Sequence, residues 1–158
     1  MAEYLLGAKI ENSEIHVSST GTLFGVSGRP MDGNALAELA KRGIDGSAHR
    51  ARTIAASDIY ACDLVICMEA DHVREATLLA PDRRDRIYTL VELAALVAKI
   101  GVDDATPGML HELRTPLAMS SNDMDVADPI GRSSTYFADC ADMIEEYLSI
   151  ATPDRLPL

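Results

Sequence analysis

Asp128 is followed directly by Pro129. Pro129 fixes its own φ and drives the residue before it toward an extended backbone, so the carboxylate sits on a stiff hinge. A carboxyl group held this way suits general acid–base work, in which a proton passes to a leaving oxygen and is later taken from water. Taken alone, Asp-Pro is also an ordinary turn dipeptide, here close to the acidic Asp123 and Asp125. A second group of chemical residues is split between Val17–Thr22 (VSSTGT) and Ser47–Arg52 (SAHRAR). Hydroxyls after a strand, with an imidazole and two guanidiniums in a loop, are able to surround an anion. The same residues serve a structural purpose equally well. Ser and Thr satisfy backbone groups in turns, His49 braces two loops, and Arg50 and Arg52 face water or pair with acids.

The three cysteines, Cys62, Cys67 and Cys140, are too few and too irregular for a disulfide framework. None has an arginine six places on: Met68, Val73 and Glu146 stand there instead. A nucleophilic thiolate needs an electropositive pocket, whereas Cys62 and Cys67 flank an apolar run and Cys140 lies on an apolar helix face, so buried thiols are expected. None of the four histidines stands at metal-ligand spacing to a cysteine, and neither a metal nor a cofactor is implied. The formal net charge is −11, from 25 acidic and 14 basic residues, which argues against nucleic acid as a partner. No apolar run approaches the roughly 20 residues that cross a bilayer, and the start lacks the basic region of a signal peptide, so no membrane partner and a cytoplasmic location are expected.

The elements that must position these groups are read from periodicity. At 158 residues, with 47% hydrophobic and 25% charged, the chain is expected to form a single domain over residues 1–158. A helix is already under way over Met1–Ile10, with Leu5, Leu6 and Ile10 on its apolar side and no N-cap ahead of it. Glu14–Ser19 alternates as a strand, Pro30–Arg42 is helical with Gly43 as its stop, and a helical turn follows near 56–61. Leu64–Met68 is a continuous apolar run of the kind buried on both faces of a sheet. Then come a helix over 70–79 ended by Pro81, a strand over 86–90, a helix over 91–100 ended by Gly101, and a short helix over 108–114. Residues 125–133 form a loop. The last helix starts at Ser133 or Ser134, with Phe137, Cys140, Ala141, Ile144, Tyr147 and Leu148 as its apolar stripe. Strands alternating with helices predict an α/β domain with a mainly parallel sheet.

In order and spacing these segments resemble the low-molecular-weight protein tyrosine phosphatase family. MAEYLL resembles the family's first helix, VSSTGT its second strand, SAHRART a loop before a short helix, DLVICME its third strand, and DVADPIGRSSTYF the late loop with its catalytic Asp-Pro. The DP-x-GRS pattern resembles the bacterial branch. Ile130 and Gly131 stand where many members carry ring-binding tyrosines, which leaves a preference for tyrosine over other aryl phosphates open. The resemblance implies a three-layer fold whose four parallel strands run in the order 2-1-3-4. It implies Asp128 as general acid and base, and Glu3, Ser19, His49 and Pro129 as residues that bind or support the phosphate loop. It also implies a phosphotyrosine-containing protein as substrate and no cofactor.

The same resemblance predicts that the family's first strand, and the Cys-x5-Arg loop that supplies nucleophile and phosphate grip, are missing ahead of Met1. Residues 1–158 are then expected to be inactive alone, with unpaired sheet edges that favour self-association. An arsenate reductase of the same fold and a non-catalytic binding module are the alternatives. The first needs a relay pair of cysteines, which Cys62 and Cys67 supply poorly from the two ends of one strand.

Overall fold

The computed structural model describes residues 1–10, 15–114 and 124–152. They group into two compact units, Met1–Ile54 with Asp128–Glu145, and Ala55–Ala127 with Glu146–Leu158. The fold is α/β with a parallel sheet, as the sequence predicts. No helix among the described residues is long and apolar enough to cross a membrane.

The second unit carries the sheet. Strands β1 (Val65–Cys67) and β2 (Ile87–Thr89) pair in parallel, with Val65 opposite Ile87 and Cys67 opposite Thr89. Between them run α4 (Ala70–Leu79) and a 3-10 helix, Pro81–Arg86. That 3-10 helix lies where the sequence suggested only a strand starting at 86. Pro81 presets the first φ, and the polar run behind it offers no apolar face to hold an α-helix. Helix α3 (Ala56–Tyr60) precedes β1, while α5 (Leu90–Ile100) and α6 (Pro107–Arg114) follow β2. The Thr89 hydroxyl accepts from the Glu92 N–H at 3.0 Å and starts α5 directly after the strand. Gly101, at φ +81°, ends it.

All three residues of β2 are buried, as are Leu90, Val91, Leu93, Ala94, Leu96 and Val97 of α5. One charged pair lies inside this apolar mass. Arg114 grips both oxygens of Glu92 at 2.8 and 3.0 Å, lies 4.7 Å from the centre of the Tyr88 ring, and donates to the Arg84 carbonyl at 2.9 Å. Burial pushes the Tyr88 hydroxyl up to about 12, and that hydroxyl donates to the Asp85 carbonyl at 2.6 Å. Asp125, one of the acids beside the Asp-Pro pair, accepts from the Ala70 N–H at 2.7 Å and so satisfies a free donor at the start of α4.

The first unit contains α1 (Ala2–Lys9), α2 (Gly33–Lys41) and the start of α7 (Ser134–Ala151). Helix α2 begins later than Pro30 because Asp32 caps it, accepting from the Asn34 N–H at 2.8 Å. It closes in a Schellman motif: the Gly43 N–H donates to the Ala40 carbonyl at 3.0 Å and Ile44 to Leu39 at 2.9 Å, with Gly43 at φ +74°. The predicted stripe of α7 is buried at Phe137, Cys140, Ala141, Ile144 and Leu148, and half-buried at Tyr147.

One sequence expectation is corrected here. Ile15–Ser19 is not a paired strand, and Glu14 lies outside the described residues. The segment keeps strand-like alternation, with His16 and Ser18 exposed and Ile15 and Val17 half-buried. Alternation alone does not make a ladder, which needs a neighbour in register. Among the described residues the segment meets a partner only at its end, where Gly21 bridges Thr53 in parallel.

Arg42 ties α2 to α7. Its guanidinium binds Glu38 at 3.1 Å, Glu145 at 2.7 Å and Asp142, while the Glu38 carboxylate also takes Lys41 at 2.5 Å. Glu38 is almost wholly buried, and its hydrogen bond from Lys41, with that from Arg42, holds its carboxyl below the ordinary value of 4.5 despite burial. Replacing Arg42 with Ala leaves the Glu38 carboxylate with Lys41 as its remaining partner and is expected to lower the urea midpoint of unfolding. Because the folded value of Glu38 is depressed, its contribution is complete above the unfolded value. It fades as pH falls through the lower folded value, so the difference between parent and variant should shrink in acid.

Candidate functional site

Three of the predicted site residues meet within the first unit. Glu3 stands in the first turn of α1, Ser19 on the extended segment and His49 in the loop after α2. The Ser19 hydroxyl donates to Glu3 Oε2 at 2.5 Å, and His49 Nδ1 lies 3.4 Å from the same oxygen. The edge of one ring meets the face of the other between Tyr4 and His49, with centroids 5.9 Å apart and planes at 74°. Sequence reasoning did not pick out Tyr4. Only its place beside Glu3 on the helix could have marked it.

Loop 47–54 is held by its main chain. The Gly21 N–H donates to the Arg52 carbonyl at 2.8 Å and Ile54 returns a bond to Gly21 at 2.9 Å. On the other side Gly28 donates to Ala51 at 2.8 Å, and Ala51 donates to Arg29 at 2.9 Å. The Ser27 and Thr53 hydroxyls pair at 3.0 Å. His49 is thereby carried on a loop fixed by its main chain.

The sequence left two readings of these groups, a shell around an anion and a brace between loops. A pocket of about 170 Å³ does bring together Ser19, Thr20, His49 and Arg52. Yet the Ser19 hydroxyl and His49 Nδ1 face Glu3, so the negative charge they serve is the protein's own. Arg50 is likewise engaged, donating to the carbonyls of Ser47 and His49 at 2.9 and 2.6 Å. A larger cavity of about 350 Å³ lies between α1 and the extended segment, lined by Glu3, Tyr4, Gly7, Ala8, Ile10, Ile15, Val17 and Ile44.

Asp128 lies in a separate turn of the same unit, exposed, with Pro129 half-buried behind it. Its Oδ1 accepts from the Ile130 N–H at 2.9 Å, and the Arg132 N–H closes the turn on the Pro129 carbonyl at 3.0 Å. Gly131 takes φ +77° at the bend, where a side chain would be strained. Ser133 then caps α7 through its hydroxyl, which accepts from the Tyr136 N–H at 3.3 Å. The expected stiff hinge is therefore an Asx turn rooted in a helix start. Among the described residues no hydrogen bond or ion pair joins Asp128 to Glu3, Ser19 or His49.

The thiols bear no sign of activation. Burial pushes Cys67 up to about 12. Burial and then the Asp128 carboxylate raise Cys140, while burial and the nearby Asp58 and Asp63 raise Cys62.

With this geometry in view, the comparisons are consistent. The family model described as low molecular weight phosphotyrosine protein phosphatase matches residues 1–119, and the chain belongs to that family. Asp128 lies beyond the matched stretch. A low molecular weight protein-tyrosine-phosphatase of Streptomyces coelicolor is 30% identical over 149 residues, covering 92% of this chain and 78% of that protein. A probable low molecular weight protein-tyrosine-phosphatase of Ralstonia solanacearum is 27% identical, covering 82% of this chain and 84% of that protein. Among solved structures, the low molecular weight phosphatase of T. tengcongensis superposes with TM-score 0.70 at 24% identity, covering 94% of this chain and 84% of that one. An arginine phosphatase of Geobacillus stearothermophilus does so with TM-score 0.70 at 20% identity, covering 94% and 78%.

The trio at Glu3 can be weighed directly. A double-mutant cycle with Glu3→Ala and Ser19→Ala should return a coupling of about 1 kcal/mol in chemical denaturation. A coupling near zero would show that the two groups do not act together in solution.

Proposed function

We propose that this chain carries the acid–base half of a protein tyrosine phosphatase, and works only together with a Cys-x5-Arg phosphate loop that residues 1–158 do not contain. The observation that carries the reading is Asp128. Its carboxylate is exposed, anchored at one oxygen by the Ile130 N–H, and set in a turn closed onto α7. A carboxyl so placed can give its proton to a leaving phenolate and later accept one from the attacking water.

Glu3, Ser19 and His49 take the supporting role in this reading. One carboxylate oxygen fixes helix, extended segment and loop, which is what a rigid phosphate loop entering α1 would need beneath it. Ile15 and Val17 are half-buried beside the cavity under α1, and their backbone has no ladder partner among the described residues, which supports room there for one more strand. Family membership favours a phosphoprotein substrate, with phosphotyrosine ahead of phosphoarginine because the more similar relatives are named for tyrosine. A disulfide relay of the arsenate reductase kind is disfavoured, since Cys67 and Cys140 are buried and all three thiols are shifted up.

The test joins a family strand and phosphate loop ahead of Met1. The chain alone should leave p-nitrophenyl phosphate intact, the fusion should hydrolyse it, and Asp128→Asn in the fusion should lower kcat by about 10²–10⁴. Turnover by the chain alone that Asp128→Asn abolishes would overturn the proposal.

The same unpaired backbone supports self-association of the chain alone. Sedimentation velocity should then show a weight-average coefficient that climbs with concentration. A value flat from micromolar to millimolar would remove that part of the reading.

A further inference from the structure

We propose that the cavity beside α1 binds a small primary amine with an apolar body, its ammonium group held by Glu3. The site belongs to the chain on its own, because the strand supplied in the fusion above would compete for the same space.

The cavity follows from an uneven helix. Leu5 and Leu6 of α1 are buried, and helical spacing puts residues 3, 4, 7 and 8 on the opposite side. There Gly7 and Ala8 add almost no bulk. Beyond the helix backbone and its own chain neighbours, no heavy atom lies within 4 Å of the point where a Gly7 side chain would begin. Across the gap, Ile10, Ile15, Val17 and Ile44 are each only half-buried. Four aliphatic side chains therefore leave apolar surface wet around one space of about 350 Å³. That lies within the range of roughly 300–1,000 Å³ usual for small-ligand sites. A guest that fits gains by covering this surface.

Glu3 decides the head group of that guest. Both contacts of its carboxylate use Oε2, with the Ser19 hydroxyl at 2.5 Å and His49 Nδ1 at 3.4 Å. Among the described residues Oε1 accepts no hydrogen bond, although the Glu3 side chain lines the cavity. No Lys, Arg or His shares that lining. A wholly apolar guest would strip water from this acceptor and return nothing. A primary ammonium supplies both donors and the opposite charge, and Tyr4 brings a phenol to the same wall. A zwitterion such as an amino acid is disfavoured, since its carboxylate would meet no cation there. The net charge of −11 likewise favours the approach of a cation.

The experiment is a heteronuclear NMR titration of the full chain with phenethylamine, and with 2-phenylethanol as its neutral counterpart. The Gly7 amide and the methyl groups of Ile10, Ile15, Val17 and Ile44 report the site, while amides along α7 confirm that each variant is folded. Phenethylamine should shift these signals with a Kd of about 0.1–10 mM. It should bind about 3–10-fold more tightly than the alcohol, with the margin narrowing in salt. Glu3→Gln should bring that ratio to about one. Ser19→Ala, which removes the bond to Oε2 but keeps the charge, should preserve it. Gly7→Leu should fill the space from the helix and abolish binding of both probes. Absence of shifts at these residues in the parent, or equal affinities for amine and alcohol, would overturn the proposal even where a variant does not fold. So would a preference that survives Glu3→Gln, or binding undiminished in Gly7→Leu. No turnover is involved, so this result and the fate of Asp128 in the fused enzyme are decided separately.

Discussion

A single carboxylate oxygen, Glu3 Oε2, collects the Ser19 hydroxyl and faces the His49 imidazole, and the first unit is organised around it. The three residues come from a helix, an extended segment and a loop that share no ladder of their own. Elsewhere in the chain, regular pairing or apolar burial holds elements in register. Here side chains contribute to register, because Ile15–Thr20 pairs with no strand among the described residues. A hydroxyl hydrogen-bonded to an acid fixes position more strictly than apolar contact does, since hydrogen bonds weaken steeply with distance and angle. The cluster therefore has the character of a fixture, and the chemistry of the site lies in what is mounted on it.

The second unit reaches rigidity by a different route. Strand β2 and most of α5 are buried, and an ion pair within this mass, Arg114 with Glu92, is well supplied with partners: two carboxylate oxygens, a carbonyl and an aromatic face. A buried pair so fully matched adds specificity of packing more than net stability. The two units thus show contrasting solutions, one fastened by polar groups at its surface and one by an apolar mass with a single charged rivet.

Much of this was legible in the chain itself. Helix stops at Gly43 and Gly101, the apolar run of β1 and the stripe of α7 follow from local pattern, and the structure keeps them within a residue or two. Pro30 reads as a helix start, but α2 begins three residues later, where the Asp32 side chain caps it. The 3-10 helix over Pro81–Arg86 has no periodic signal to read. Asp125 looked like one more acid in a charged loop, since its role as a cap for α4 depends on a contact 55 residues away. In the site, Glu3, Ser19 and His49 were nameable by resemblance, but that they converge on one oxygen is a tertiary fact. So is the fact that the Ser19 hydroxyl is turned to Glu3. The alternation of Ile15–Ser19 was visible, whereas strand pairing depends on a partner that no local pattern encodes.

The protonation of the resident thiols has a practical side. Cys62, Cys67 and Cys140 are all biased toward the neutral, unreactive form, each of them chiefly by burial. Electrophiles select thiolates, so near neutral pH this background is chemically quiet. Any sulfur placed in a phosphate-gripping turn and drawn toward its anion would stand out against it. An alkylating probe of modest reactivity would then count assembled catalytic centres directly, with no need to strip the native cysteines away.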